Sequence, residues 1–219
     1  MAGCDQFYFP RARVFSLLNS IDKRPIWFWG IHKWTDGCVK RITDMELQTL
    51  VLQITGSCID RTFICCPPWT NRYLFIDFPV ITMLIKNLKQ YFVFEWTIID
   101  DEDKIRRFRA SNFCSVARVS PTLCLVPMRL VDGWNRIRFD QSSFAQNAYG
   151  TNFRQTIRLQ IHANCQIRYL YLSNRFLAED ELPPDLQLHL KEPEIEIERQ
   201  SQIGSSDTEI STSTLCMEI

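Results

Sequence analysis

Apolar and polar residues alternate with a period of two through most of this chain, in short runs separated by turn-forming residues. Ile157, Leu159 and Ile161 alternate with Arg158, Gln160 and His162, which gives one apolar and one polar face, as a half-buried strand requires. After a polar break at Asn164, Cys165 and Gln166, the chain resumes with Ile167, Tyr169 and Tyr171 on one side and Arg168, Leu170 and Leu172 on the other. That second strand has two greasy faces and belongs inside a sheet sandwich. The richest run is 91–99, where Phe92, Phe94, Trp96 and Ile98 fill one face and Tyr91, Val93 and Ile99 much of the other. It predicts a central strand, apolar on both sides. Residues 49–54, 61–65, 73–77, 80–88, 104–110, 122–130 and 135–139 are further candidate strands, at intervals typical of an all-β sandwich or barrel.

One stretch carries helical spacing. Asp140 or Ser142 can cap it, Phe144, Ala145 and Ala148 share a face, and Gly150 follows where a left-handed residue is wanted. Residues 16–19 predict another helical turn near the start. The pattern divides the chain into an N-terminal arm (1–13), a single sandwich domain (14–190) and a tail (191–219). In the tail Ile195 and Ile197 alternate with glutamates, and Ser, Thr, Asp and Glu dominate 204–214. Such a segment cannot bury enough apolar area to offset its ordering entropy, so disorder in isolation is expected. The alternation at 194–198 still suits an added strand on a sheet edge.

Composition narrows the class. At 219 residues and 46% hydrophobic content the chain can build one sizeable core. No uncharged apolar run approaches the roughly 18 residues that span a bilayer, and the first 13 residues lack the form of a secretory signal, so an intracellular protein is expected. The nine cysteines show no disulfide framework and no C-x-x-C pair; reduced thiols packed as small apolar groups are the expectation. The net charge of zero hides an asymmetry. Residues 191–219 carry two basic against seven acidic side chains, a net −5, which leaves the rest at +5. A mildly basic body favours an anionic partner surface.

Candidate chemistry is sparse. Asp100, Asp101, Glu102 and Asp103 have the charge for a metal but lack the spaced ligands of a metal loop, and read as a solvated hairpin tip. Glu179, Asp180 and Glu181 read as a turn cap, and His162 as a hydrogen-bonding residue at the surface or core edge. No nucleophile elbow, zinc helix, P-loop or dinucleotide fingerprint is present, so no catalytic residue, metal or cofactor is expected. The basic residues carry more information. Lys104, Arg106, Arg107 and Arg109 fall on one strand, where the doubled arginine breaks alternation as a bulge does. Lys40 and Arg41 form a second pair. Guanidinium forks suit carboxylate or phosphate, so Lys40, Arg41, Arg106, Arg107 and Arg109 are the candidate anchors for an acidic protein surface, with nucleic acid as the alternative. Trp134 and Asn135 read as packing and turn residues.

The segments KRITD (40–44), IKNLKQYFVFE (85–95), RRFRASN (106–112), VPMRLVDGWNRIRF (126–139), AYGTN (148–152) and the run 158–183 together resemble the cilia- and flagella-associated protein 20 family. The match runs in order from about residue 14 to 190. It implies a jelly-roll-like β-sandwich with a short helix and a non-enzymatic microtubule inner protein at the inner junction of axonemal doublets. There it would contact α/β-tubulin and alternate with the parkin co-regulated gene protein, in the axoneme or basal body. The opening 5–13, the cluster Trp27, Phe28, Trp29 and Trp34, the cysteines at 38, 58, 66, 114 and 124, and the acidic tail depart from the family pattern. These departures point to a paralogue of restricted use, such as a sperm-type one.

Overall fold

The computed structural model describes residues 14–188, so the predicted arm and tail lie outside the described residues. Among the described residues, thirteen strands, one α-helix and two 3-10 turns build the fold. The strands are β1 (Val14–Asn19), β2 (Gly30–His32), β3 (Cys38–Asp44), β4 (Thr49–Thr55), β5 (Phe63–Cys66), β6 (Val80–Asn87) and β7 (Val93–Asp100). They continue with β8 (Ile105–Ser111), β9 (Arg118–Val119), β10 (Leu123–Pro127), β11 (Gly133–Asp140), β12 (Phe153–His162) and β13 (Cys165–Ser173). The first sheet runs β11-β6-β13-β4-β3, with β1 also on β13; the second runs β2-β5-β12-β7-β8-β10-β9. All pairings are antiparallel except β8 with β10. The expected all-β sandwich is thus observed.

The inner faces meet in one core whose centre is aromatic. Trp96 stacks on Phe108 with ring centroids 5.0 Å apart, and Phe139, Phe94 and Phe144 close around it. Each such pair adds about 0.5–1.5 kcal/mol beyond the burial of its area. The run 91–99 is central, as expected, with Phe92, Phe94, Trp96 and Ile98 inward. Its other face is not wholly apolar, because Glu95 lies buried there.

The helix α1 (Gln141–Tyr149) starts and stops as its residues dictate. The Asp140 carboxylate accepts from the amides of Ser142 and Ser143, and Gly150 takes the left-handed conformation at φ 68°. Residues 16–19 are strand, not helical turn. Their short apolar run fits either period, and pairing with β13 decides. Residues 73–77 contribute one isolated bridge, Ile76 to Thr156, instead of a strand. Four elements went unpredicted: β1, β2, β3 and β9.

β13 is buried on both faces, but not with the predicted sides. The register slips between Ile167 and Tyr169, so Ile167 joins Leu170 and Leu172 in the central core. Tyr169 and Tyr171 instead enter a second cluster with Val51, Leu84, Trp134, Leu177, Leu182 and Leu186. The segment 174–188 therefore roofs the outer face of the first sheet. Arg168, at the bulge, is buried beneath it and bonds Asn19 Oδ1 and the Asp185 carbonyl.

All seven cysteines among the described residues are free thiols, and Cys65, Cys66, Cys124 and Cys165 are buried. Burial pushes the Cys66 thiol up to about 12 and Cys124 to about 11, and raises Cys65 and Cys165 as well.

Candidate partner-binding face

The outer face of the second sheet is covered only at one margin, by the turn at Ile59–Arg61, and strand register fixes which side chains it presents. One row across the strands is Leu123, Arg107, Thr97 and Arg158; the next is Arg118, Leu125, Arg109, Glu95 and Gln160. Neighbouring positions in a row are about 5 Å apart, so Arg107 and Arg158 stand about 10 Å apart across Thr97. Arg107 and Arg118 are exposed, and Arg109 and Arg158 partly so.

Beneath this surface lies a charged chain. Arg109 bridges Glu95 (2.6 Å) and Asp60 (2.5 Å), and His162 Nε2 faces the same Glu95 oxygen at 3.6 Å. His162 Nδ1 meets the Ile59 carbonyl at 3.0 Å, which makes that nitrogen the donor. Burial alone raises the Glu95 pKa, but His162, Arg109 and Arg107 outweigh it and hold the carboxyl below its usual range. His162 sits on the polar face, as expected, yet is 3% exposed, covered in part by the Phe63 ring. The network fixes the 3-10 turn at Ile59–Arg61 against the sheet.

Arg106 does not belong to this surface. The β7–β8 register is unbroken from Val93–Ser111 to Ile99–Ile105, so the doubled arginine makes no bulge and Arg106 points inward with Phe108 and Ala110. It is 7% exposed; its Nε donates to Asp100 Oδ2 at 2.8 Å, and its guanidinium lies 4.3 Å from the Tyr149 ring centroid. Asp100 in turn accepts from the amides of Glu102 and Lys104. Burial would raise its pKa, but Arg106, the Lys104 amide and Thr151 together lower it. Only part of the acidic cluster is therefore a solvated hairpin tip, since Asp100 is the buried organiser of that turn. Lys40 and Arg41 are exposed on β3, at the edge of the first sheet, where Arg41 donates to the Asp22 carbonyl at 2.8 Å. The five candidate anchors thus separate into an inward residue, a pair on one sheet and a pair on the other.

Several turn-forming and packing residues act as read. Asn135 accepts from the Val131 amide and donates to the Gly133 and Val131 carbonyls, and Trp134 donates to Asp44. Glu181 accepts from the Ala178 amide and pairs with Arg175. Missing from the sequence reading were Asp44, which gathers Lys86, Trp134 and two turn amides, and Arg158 and Arg118, whose place on the open face only the register reveals. An open polar groove of 1010 Å³ at one end of the sandwich includes Asn87, Asn112 and Asn164. Those three amides are already spent on backbone groups of the surrounding loops.

The geometry is that of a two-sheet sandwich with exposed arginines on one outer face and a buried charge network beneath it, and its sequence falls into a known class. The CFA20 domain matches residues 8–190, and the chain belongs to that family. Among curated proteins, it is 47% identical to cilia- and flagella-associated protein 20 of Paramecium tetraurelia, over 80% of this chain and 91% of that protein. It is 48% identical to the protein of the same name from Caenorhabditis elegans, over 81% and 87% of the two chains. The Chlamydomonas reinhardtii namesake is 46% identical over 80% and 92%. A solved endo-1,4-beta-glucanase structure aligns with 67% of this chain and 93% of its own at 10% identity and a TM-score of 0.39, a likeness on which no assignment rests.

Proposed function

We propose that this chain is a non-catalytic structural protein of cilia or flagella, seated at the inner junction of axonemal doublet microtubules. The observation that carries the proposal is 46–48% identity, across most of the chain, to proteins named for association with cilia and flagella. Its partners there are the acidic surface of α/β-tubulin and the other inner-junction proteins, the parkin co-regulated gene protein among them. The fold supports the role. A sandwich packed on an aromatic centre holds two surfaces at fixed separation, and Arg107, Arg118 and Arg158 offer guanidinium groups on its open side. Each exposed ion pair contributes at most about 1 kcal/mol. Repetition along a polymer converts such weak contacts into stable attachment.

Cosedimentation of the purified chain with assembled microtubules tests the reading. Binding is expected in dilute buffer, with steep release as salt rises, because exposed pairs are screened. A chain that ignores microtubules in dilute buffer, or that stays wholly in the detergent-soluble fraction of motile ciliated cells, would overturn it. Cryo-EM of native doublets locates the contacts.

A further inference from the structure

Of the ten prolines in the sequence, only Pro121 follows a hydroxyl residue, Ser120. The pair opens the turn between β9 and β10, at the margin of the arginine face. The Ser120 amide donates to the Leu123 carbonyl at 2.8 Å, which continues the ladder one step beyond Val119 and Cys124. Ser120 therefore stands in the row of Leu123, Arg107, Thr97 and Arg158. Arg118, two residues earlier on the same face, is about 7 Å from it, and Arg107 is about 10 Å away across Leu123. Neither arginine makes an ion pair with a described residue, while the carboxylates Glu95 and Asp60 are already held by Arg109. The hydroxyl is open to modification. Residues 118–122 are all exposed, and β9 pairs through two residues on one side only, so the segment opens at low cost. Pro121 biases Ser120 toward extended backbone, the form in which kinase clefts take their substrates. The bond from the Ser120 hydroxyl to the Leu123 carbonyl, at 2.9 Å, faces solvent. The turn itself is fixed from below, because Arg106 Nη1 donates to the Pro121 carbonyl at 2.5 Å and the Arg107 amide to the Thr122 carbonyl at 2.9 Å.

We propose that Ser120 is a phosphorylation site for a proline-directed serine kinase, and that Arg107 and Arg118 clasp the phosphate it receives. In the transfer Ser120 Oγ bonds the γ-phosphorus of Mg-ATP as the bond from that phosphorus to the bridging oxygen of the departing ADP breaks. The hydroxyl proton passes to the catalytic carboxylate of the kinase. The product carries a charge of about −1.5 to −2 at neutral pH and three acceptor oxygens, which suit guanidinium forks. It neutralises the two arginines beside it. Those arginines are the ones that the proposed function sets against an acidic polymer, so modification releases the chain from microtubules, a consequence that rests on that reading.

Incubation of the purified full chain with a cyclin-dependent serine kinase and Mg-ATP tests the site. Mass spectrometry is expected to place one phosphate on Ser120 in the parent and none in Ser120→Ala. Phosphorus NMR of the modified chain reads the clasp. The second ionisation of phosphoserine, ordinarily at about pH 6, is expected about half a unit lower, and back at its ordinary value in Arg107→Gln with Arg118→Gln. Cosedimentation in dilute buffer reads the consequence: the phosphorylated chain should bind microtubules about tenfold more weakly, while kinase-treated Ser120→Ala binds as the untreated parent does. Absence of transfer, transfer to another residue, an ionisation that the arginine substitutions leave unmoved, or unchanged microtubule binding by the modified chain overturns the proposal. An unmodified chain that ignores microtubules overturns the proposed function instead, and the phosphorus titration still decides the clasp.

Discussion

The two outer faces of the sandwich obey the same alternation and meet opposite fates. On the first sheet the outward positions are Tyr169, Tyr171, Leu84, Val51 and Trp134, and the segment 174–188 lays Leu177, Leu182 and Leu186 over them. On the second sheet the outward positions are Arg107, Arg109, Arg118, Thr97, Arg158 and Gln160; the turn at 59–61 covers the margin at Arg109, and Arg107 and Arg118 stay exposed. An aromatic outer face must be roofed, because its exposure costs about 25 cal/mol per Å². An arginine face remains available for contact. The difference teaches that one alternation yields a second buried cluster on the first sheet and an arginine-bearing surface on the second, the surface to which the proposed function assigns contact.

Mutation of each face can break or sharpen that contrast. The largest effect belongs to the roofed face: Tyr169→Ala, which empties a fully buried site, is expected to lose about 3–5 kcal/mol in urea denaturation. Arg106→Ala follows at about 3 kcal/mol, because it leaves Asp100 buried without its cation, whereas Arg107→Ala one residue on changes stability by less than about 0.5 kcal/mol. The pair also sets an acid limb. The folded-state pKa of Asp100 is depressed, so its contribution is complete above the unfolded value of 3.8 and is lost as pH falls through the lower folded value. Denaturation midpoints measured from pH 6 to about 2.5 should fall less steeply in Asp100→Asn than in the parent. Smallest in stability, but aimed at function, is Arg107→Glu with Arg118→Glu. It should leave the urea midpoint nearly unchanged and weaken microtubule binding about tenfold at low salt. Equal loss of binding and folding would dissolve the distinction between the faces.

Where alternation was strict, the sequence was legible. The inward set Phe92, Phe94, Trp96 and Ile98, the helix between Asp140 and Gly150, and the turn role of Asn135 could all be read directly. Legibility failed where one local residue changes parity. The slip at Arg168 moved Ile167 across the sheet, and a bulge expected at Arg106 and Arg107 was absent because Asp100 and Tyr149 accept an inward arginine. Edge strands β2 and β3 carry little apolar signal, being paired on one side and open on the other. The basic candidates were chosen by charge alone, and charge does not say which sheet a strand joins. Arg158 reaches the open face through a pairing between strands distant in sequence, β12 with β7, and Arg118 through the two-residue strand β9 beside β10, too short to show an alternation of its own.

The thiols divide the same way as the side chains around them. Cys65, Cys66, Cys124 and Cys165 hold almost no thiolate at neutral pH, while Cys38, Cys58 and Cys114 stand within reach of solvent. A maleimide pulse therefore marks the second set in the native molecule and reaches the first only when the sheets part, so each molecule carries its own chemical record of whether it has opened.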